Sequence, residues 1–243
     1  MNAVITISRQ LGSLGSYIAT DVARELDLRY LDREILYRLA EMAGYPDDDE
    51  MIQRLEKREY IDGILRQMLD ALAALPPIPM VPSASLREIY AYDNAISALM
   101  QREDLSYQDA LQRAERERQQ EMLAADYAKL VQQVILEFAQ EGDAVIVGRG
   151  GQVILSDMPD VLHVQIIAPE SVRVQRLMER MDISKREAQE QIWQADGDRA
   201  RYMKHFHNVD WRAPELYDVV INTRKLSVET VSAFLCEALR KMT

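Results

Sequence analysis

The chain has 243 residues, 48% of them hydrophobic, enough to bury a sizeable core as one large α/β domain with an insertion. A formal charge of -11 argues against a general nucleic-acid binder or a protein of anionic membranes, since both need positive surface potential. A single cysteine, Cys236, excludes an internal disulfide framework, and without a basic leader or an apolar run of membrane-spanning length the expectation is a soluble, cytoplasmic protein.

Val4 to Ile7 reads as a short buried strand. It runs into "SRQLGSLGS", a loop with two glycines, and then into "YIATDVAREL", where Ile18, Val22 and Leu26 recur at helical spacing. Tyr30 and Leu31 form a short extended piece before a helix that stops at Gly44, with Asp32 near its start. Residues 45–126 are charged, Met-bearing and helix-friendly, broken by "LPPIPMVPSAS", where four prolines in seven residues forbid continuous helix. They read as a helical lobe inserted into the core domain. A long helix, with room for a break, runs from Tyr107 to Glu141, and its "QRAERERQQE" stretch forms a solvated face.

"DAVIVGRGG" is a second core strand ending in a glycine-rich turn, and "VLHVQIIAP" a third, apolar throughout as in a parallel sheet covered on both faces. Pro169 ends that strand and opens a helix carrying Val172, Leu177 and Met178. Ser184 followed by Glu187 has capping-box spacing, so another helix begins there and continues through "AQEQIWQADGDRARYM". "YDVVINT" is a last strand, and "SVETVSAFLCEALRKM" a closing amphipathic helix in which Cys236 is a buried thiol. Strands alternating with helices predict an α/β fold with a parallel sheet.

The glycine loop invites comparison with the phosphate cradle GxxxxGK[ST], in which backbone amides wrap the phosphates, a lysine reaches the outer ones and a hydroxyl ligates Mg²⁺. With Ser16 at the hydroxyl position, Gly15 stands where the lysine belongs, Leu14 at the last glycine and Arg9 at the first. The match is partial, and an ordinary strand-to-helix turn remains open. Two features favour phosphate. A helix N-terminus follows the loop and is a ready anion site, and Arg9 at its mouth offers the positive charge that a lysine would supply.

Six segments in one order, "ITISRQLGSLGSYIA", "YLDREIL", "VIVGRGG", "VRVQRLMERM", "QADGDRARY" and "YDVVINT", resemble the cytidylate kinase-like family, a branch of the P-loop nucleoside monophosphate kinases. The resemblance covers roughly residues 3 to 44 and 143 to 235. It implies a three-layer P-loop NTPase-type parallel sheet over residues 1–243, with the 45–126 lobe as an acceptor-binding or interaction insertion and a lid over residues 176–212. ATP and Mg²⁺ are the implied cofactors, held by Gly12, Ser13, Leu14, Gly15 and Ser16, with Ser16 on the metal and Arg180 closing from the lid. Arg9, Arg149, Arg176 and Arg199 are the implied catalytic set, because phosphoryl transfer needs positive charge on the oxygens of the moving group. Asp32, Arg38, Arg149, Asp196 and Arg199 would bind the acceptor, CMP or dCMP by family default. Gly150 departs from the family's "GRD" turn, whose carboxylate contacts the pyrimidine.

Plainer readings stay open for several of these residues. Asp32 is a favoured helix N-cap, and Asp196 with Arg199 makes an ordinary i, i+3 ion pair. Arg173, Arg201 and Arg212 read as surface arginines, and His163 as a satisfied core residue. His205 and His207, near Trp211, lack a further ligand set for a metal. Two functions follow: a phosphotransferase acting on a small phosphorylated acceptor, or a catalytically weak nucleotide-binding regulatory or interaction protein. Neither involves nucleic acid or membrane, and the insertion offers a surface for homo-oligomerisation.

Overall fold

The structure is a computed structural model, described here for residues 3–32, 35 and 106–242. The chain divides into two compact units, residues 1–38 with 131–243, and residues 39–130. Most of the 45–126 lobe lies outside the described residues, as does Arg38.

In the first unit the apolar run "VITI" extends as strand β1 (Val4–Arg9), two residues beyond its expected end. Helix α1 (Gly15–Leu26) follows the loop and stops where Asp27 turns left-handed and donates its N–H to the Ala23 carbonyl. Strand β2 (Arg29–Leu31) comes next, and after the undescribed stretch helix α2 (Tyr107–Glu141), whose residues 107–130 belong to the second unit and 131–141 to the first, runs without the break that its sequence allowed. Its last turns bury Val131, Val134 and Ile135 at helical spacing. Arg29 donates to Glu141 and to the Gly142 carbonyl at that end, an exposed pairing that contributes about 1 kcal/mol or less.

Strand β3 (Ala144–Val147), the short helix α3 (Gly151–Ile154) and strand β4 (Val161–Ile167) precede helix α4 (Glu170–Met181), which opens after Pro169 as the sequence predicts. Helix α5 (Lys185–His207) starts with the expected capping box: the Ser184 hydroxyl accepts from the Glu187 amide and the Glu187 carboxylate from the Ser184 amide. Such a cap stabilises a helix by about 1 kcal/mol. A 3₁₀ turn (Pro214–Leu216), strand β5 (Val219–Asn222) and helix α6 (Val228–Met242) complete the unit.

The five strands lie in the order β2-β3-β1-β4-β5, and every pairing is parallel. One face of β1 buries Ile5 and Ile7 against Ile18 and Val22 of α1 and Val231, Leu235 and Leu239 of α6. Each such side chain contributes about 1.5–3 kcal/mol by leaving water. Cys236 is fully buried in this layer, as expected. Covered on both sides, the central strands could be written in almost unbroken apolar sequence.

This order fixes where a ligand goes. The connection leaving β1 runs toward the β2 edge, whereas those leaving β3 and β4 run toward the β5 edge. The winding therefore reverses at β1, and a crevice opens beyond its carboxyl end, the place where open α/β sheets bind ligands. The glycine loop occupies that end.

Candidate functional site

The loop between β1 and α1 is held by its carbonyls. Ser13, fully buried, donates its N–H and its hydroxyl to the Gln10 carbonyl, at 3.2 and 2.8 Å. Arg173 Nη1 donates to the Leu11 carbonyl at 3.2 Å, Arg176 Nη1 to the Gly12 carbonyl at 3.3 Å, and Thr223 Oγ1 to the Ser13 carbonyl at 2.8 Å. Four successive carbonyls are thus engaged away from any ligand. Gly12 (φ 80°) and Leu14 (φ 69°) take left-handed turns on either side of Ser13, and Leu14 then leads into α1. Helix geometry leaves the first amides of α1 without intrahelical acceptors, at an end carrying about half a positive elementary charge. The arrangement suits an anion.

A cavity of about 510 Å³ opens over this loop, within the range of small-molecule sites. Arg9, Gly12, Leu14, Gly15 and Ser16 line one side, and Arg176 and Arg180 of α4 with Arg199 of α5 line the other. Gln10, Leu11, Tyr17, Leu177, Glu179 and Val228 also face it, none of them a site residue by motif or resemblance. Eight of the proposed site residues therefore meet in one space.

The four arginines are held differently. Arg9 Nη2 donates to Asp32 Oδ2 at 3.1 Å. Arg199 Nη1 donates to Asp196 Oδ1 at 3.0 Å, and its guanidinium lies 5.2 Å from the centre of the buried Trp211 ring. Burial, followed by the like charge of Arg9, pulls its pKa down to about 10, which still leaves it charged at neutral pH. Arg176 spends donors on Gly12 and on the hydroxyl and carbonyl of Thr223, and burial lowers its pKa. Arg180 reaches only the Met181 sulfur, with no carboxylate partner among the described residues.

Asp196 is already occupied by the protein. Its Oδ1 accepts from the Leu11 amide (3.3 Å) and from Arg199, and its Oδ2 from Arg173 at 2.7 Å. Both the plain i, i+3 pair and a tie to the loop are present. Arg173, expected on the surface, is instead 7% exposed and braces the loop. Its spacing with Arg176 and Arg180, which puts all three on one helical face, was the available signal.

Four described residues of the proposed site lie outside the cavity lining: Ser13 and Asp196, bound into the loop as above, and Asp32 and Arg149. Asp32 reaches it only through Arg9, and Arg149 (φ 55°) sits half-buried in the turn after β3. Next to it Gly150 (φ 77°) faces His207: a Cβ there would lie 2.5 Å from Nε2 of that ring. Any side chain at position 150 would meet that ring. His163 Nδ1 meets Thr6 Oγ1 at 2.8 Å inside the sheet, the core placement expected of it.

Among the described residues no group of three or more His, Cys, Asp or Glu could hold a metal, and no helix is long and apolar enough to cross a membrane.

The model of the cytidylate kinase-like family matches residues 4–225. The chain belongs to that family. A uronate isomerase of Corynebacterium glutamicum is 31% identical over 103 residues, 42% of this chain and 20% of its own. A cytidylate kinase of Methanocaldococcus jannaschii is 27% identical over 106 residues, 43% of this chain and 60% of its own. The chain thus spans about a fifth of one curated relative and three fifths of the other. The crystal structure of an uncharacterized protein from Eubacterium ventriosum superposes with a TM-score of 0.57 at 18% identity, covering 99% of each chain, and shares the fold of this family member.

Proposed function

We propose that this protein is a nucleotide-dependent phosphotransferase that moves a phosphoryl group from ATP to a small phosphorylated acceptor, a nucleoside monophosphate of the CMP or dCMP kind. The observation that carries the reading is the convergence of Arg9, Arg176, Arg180 and Arg199 on one cavity over the glycine loop, in a chain with a net charge of -11. So much cationic charge in one cavity of an acidic protein matches the need of phosphoryl transfer, in which positioning and charge on the oxygens supply nearly all the catalysis.

A triphosphate fits the residues present, because the carbonyls of the loop are turned to other partners and its helix start offers amides. Gly12, Ser13, Leu14, Gly15 and Ser16 would hold it, with the exposed Ser16 hydroxyl toward Mg²⁺. The bound Mg²⁺ would supply charge neutralisation between the outer phosphates. Arg9 would stand in for the absent lysine and Arg199 would share the transferring group, its guanidinium kept in place by Trp211 and Asp196. Arg176 and Arg180 would exclude water from the lid side. Arg38 and Arg149 would bind the acceptor phosphate.

The missing lysine of the general phosphate cradle, with Gly15 in its place, and Gly150, where the family's "GRD" turn carries an aspartate, favour a second reading as a nucleotide-binding regulatory protein of little turnover. One experiment separates the two: purified protein with MgATP and a panel of nucleoside monophosphates, followed by ADP release. Turnover with one acceptor, lowered about a hundredfold or more in Arg199→Ala, supports the phosphotransferase. Thermal stabilisation by MgATP without turnover on any acceptor overturns it in favour of the second reading.

A further inference from the structure

The course of Arg9 has a structural cost that nothing in a simple turn requires. Its side chain leaves the end of β1 and crosses directly over Gly15, where an added Cβ would lie 2.4 Å from Arg9 Cβ and 3.0 Å from its Cγ. Its guanidinium then abuts Gly148, where an added Cβ would lie 2.6 Å from Nη1. Real Cβ atoms do not approach so closely, so two positions from different parts of the chain must both lack a side chain for Arg9 to lie as it does. A lysine at position 15 would collide with residue 9 from its first side-chain carbon, since its Cβ would lie 2.4 Å from Arg9 Cβ: position 15 has no room for a side chain beside Arg9.

At the far end of this slot stands Asp32. Its Oδ2 accepts from Arg9 Nη2 at 3.1 Å and from the Tyr30 hydroxyl at 3.4 Å, and the two charged side chains are only 20% and 28% exposed. Asp32 follows the edge strand β2 and does not line the cavity, whereas Arg9 does. An arginine has many rotamers that interconvert quickly, and it would sample them without an anchor.

We propose that Asp32 is the positioning residue of Arg9: it acts on the reaction only by fixing the guanidinium in the slot between Gly15 and Gly148, and touches neither substrate. The assignment rests on the phosphotransferase reading for its reaction, but it gives Asp32 a role in place of acceptor binding or helix capping.

The test is a double-mutant cycle on the folded protein, with circular dichroism and melting temperature checked for each variant. Asp32→Ala lowers kcat about a hundredfold while the KM of the acceptor stays within about threefold, since misplacing a reacting partner costs the transition state and not ground-state binding. In an Arg9→Ala background the same change costs less than about twofold, the error of additivity. Added guanidinium ion restores part of the activity of Arg9→Ala and fails to do so in the double variant. Asp32→Asn, which keeps an oxygen for Arg9, retains more activity than Asp32→Ala and serves if the alanine variant does not fold. Full additivity of the two changes, or a raised acceptor KM on removing Asp32 from the Arg9→Ala protein, overturns the assignment. Absence of turnover in the wild type would sink the phosphotransferase reading alone. The cycle is then run on MgATP affinity, where non-additivity supports the assignment and additivity overturns it.

Discussion

Removing Asp196 should be the most damaging single change near the loop, and more damaging than removing the arginine it holds. The carboxylate is 16% exposed and takes three hydrogen bonds: from the Leu11 amide, from Arg173 at 2.7 Å and from Arg199 at 3.0 Å. Asp196→Ala leaves two guanidinium groups, 8% and 24% exposed, without their counter-charge. Breaking a buried pair from one side costs about 3–5 kcal/mol. Arg173→Met is milder, because Asp196 keeps Arg199 as its partner and the methionine stem fills most of the vacated space. Its main loss is the bond to the Leu11 carbonyl, which leaves one acceptor under-satisfied at about 1–3 kcal/mol. Melting temperature and urea midpoint, followed by circular dichroism, measure both. For a chain of this size each kcal/mol shifts the melting temperature by about 2–4 °C. A fall of less than about 1 kcal/mol for Asp196→Ala, or an equal or larger fall for Arg173→Met, would refute the view that one carboxylate serves two buried cations.

Other expectations follow from the close contacts and the buried histidines. Gly15→Ala places a methyl group 2.4 Å from Arg9 Cβ and is expected to destabilise by about 1–3 kcal/mol, as overpacking does, with loss of MgATP binding measured by titration. Gly150→Asp is expected to destabilise because its Cβ meets His207 Nε2, and Gly150→Asp with His207→Ala to melt higher than Gly150→Asp alone. Burial lowers the pKa of both His163 and His207 below the ordinary 6.5. The unfolded chain then binds protons first on acidification, so their contribution is complete above about pH 6.5 and declines as pH falls from there toward the folded values. Melting temperatures recorded from pH 8 to 5 should show this fall, and replacing His163 by Gln should flatten it.

Core elements were legible because they obey simple periodicities: "VITI" and "VLHVQII" read as covered strands, and Ser184 with Glu187 as a helix start. Family order then assembled the site, and eight of the proposed residues line one cavity. What stayed hidden depended on partners remote in sequence. Arg173 reads like any helix-surface arginine until the loop, 162 residues away, brings a carbonyl to it. Thr223 and Trp211 carry no local sign that they brace Ser13 and Arg199. The glycine at 15 looked like a defect in a phosphate cradle because a one-dimensional pattern cannot register a side chain arriving from position 9.

The bonds that hold the glycine loop come from far along the chain: Arg173, Arg176, Asp196 and Thr223 lie 162 to 210 residues from the groups that they grip. Such contacts form late, because ordering a long intervening segment costs entropy before the contact can repay it. A chain still emerging from the ribosome would have its glycine loop written but not braced, and, on the phosphotransferase reading, competence to hold a nucleotide would come only once the final strand has docked and brought Thr223 to Ser13.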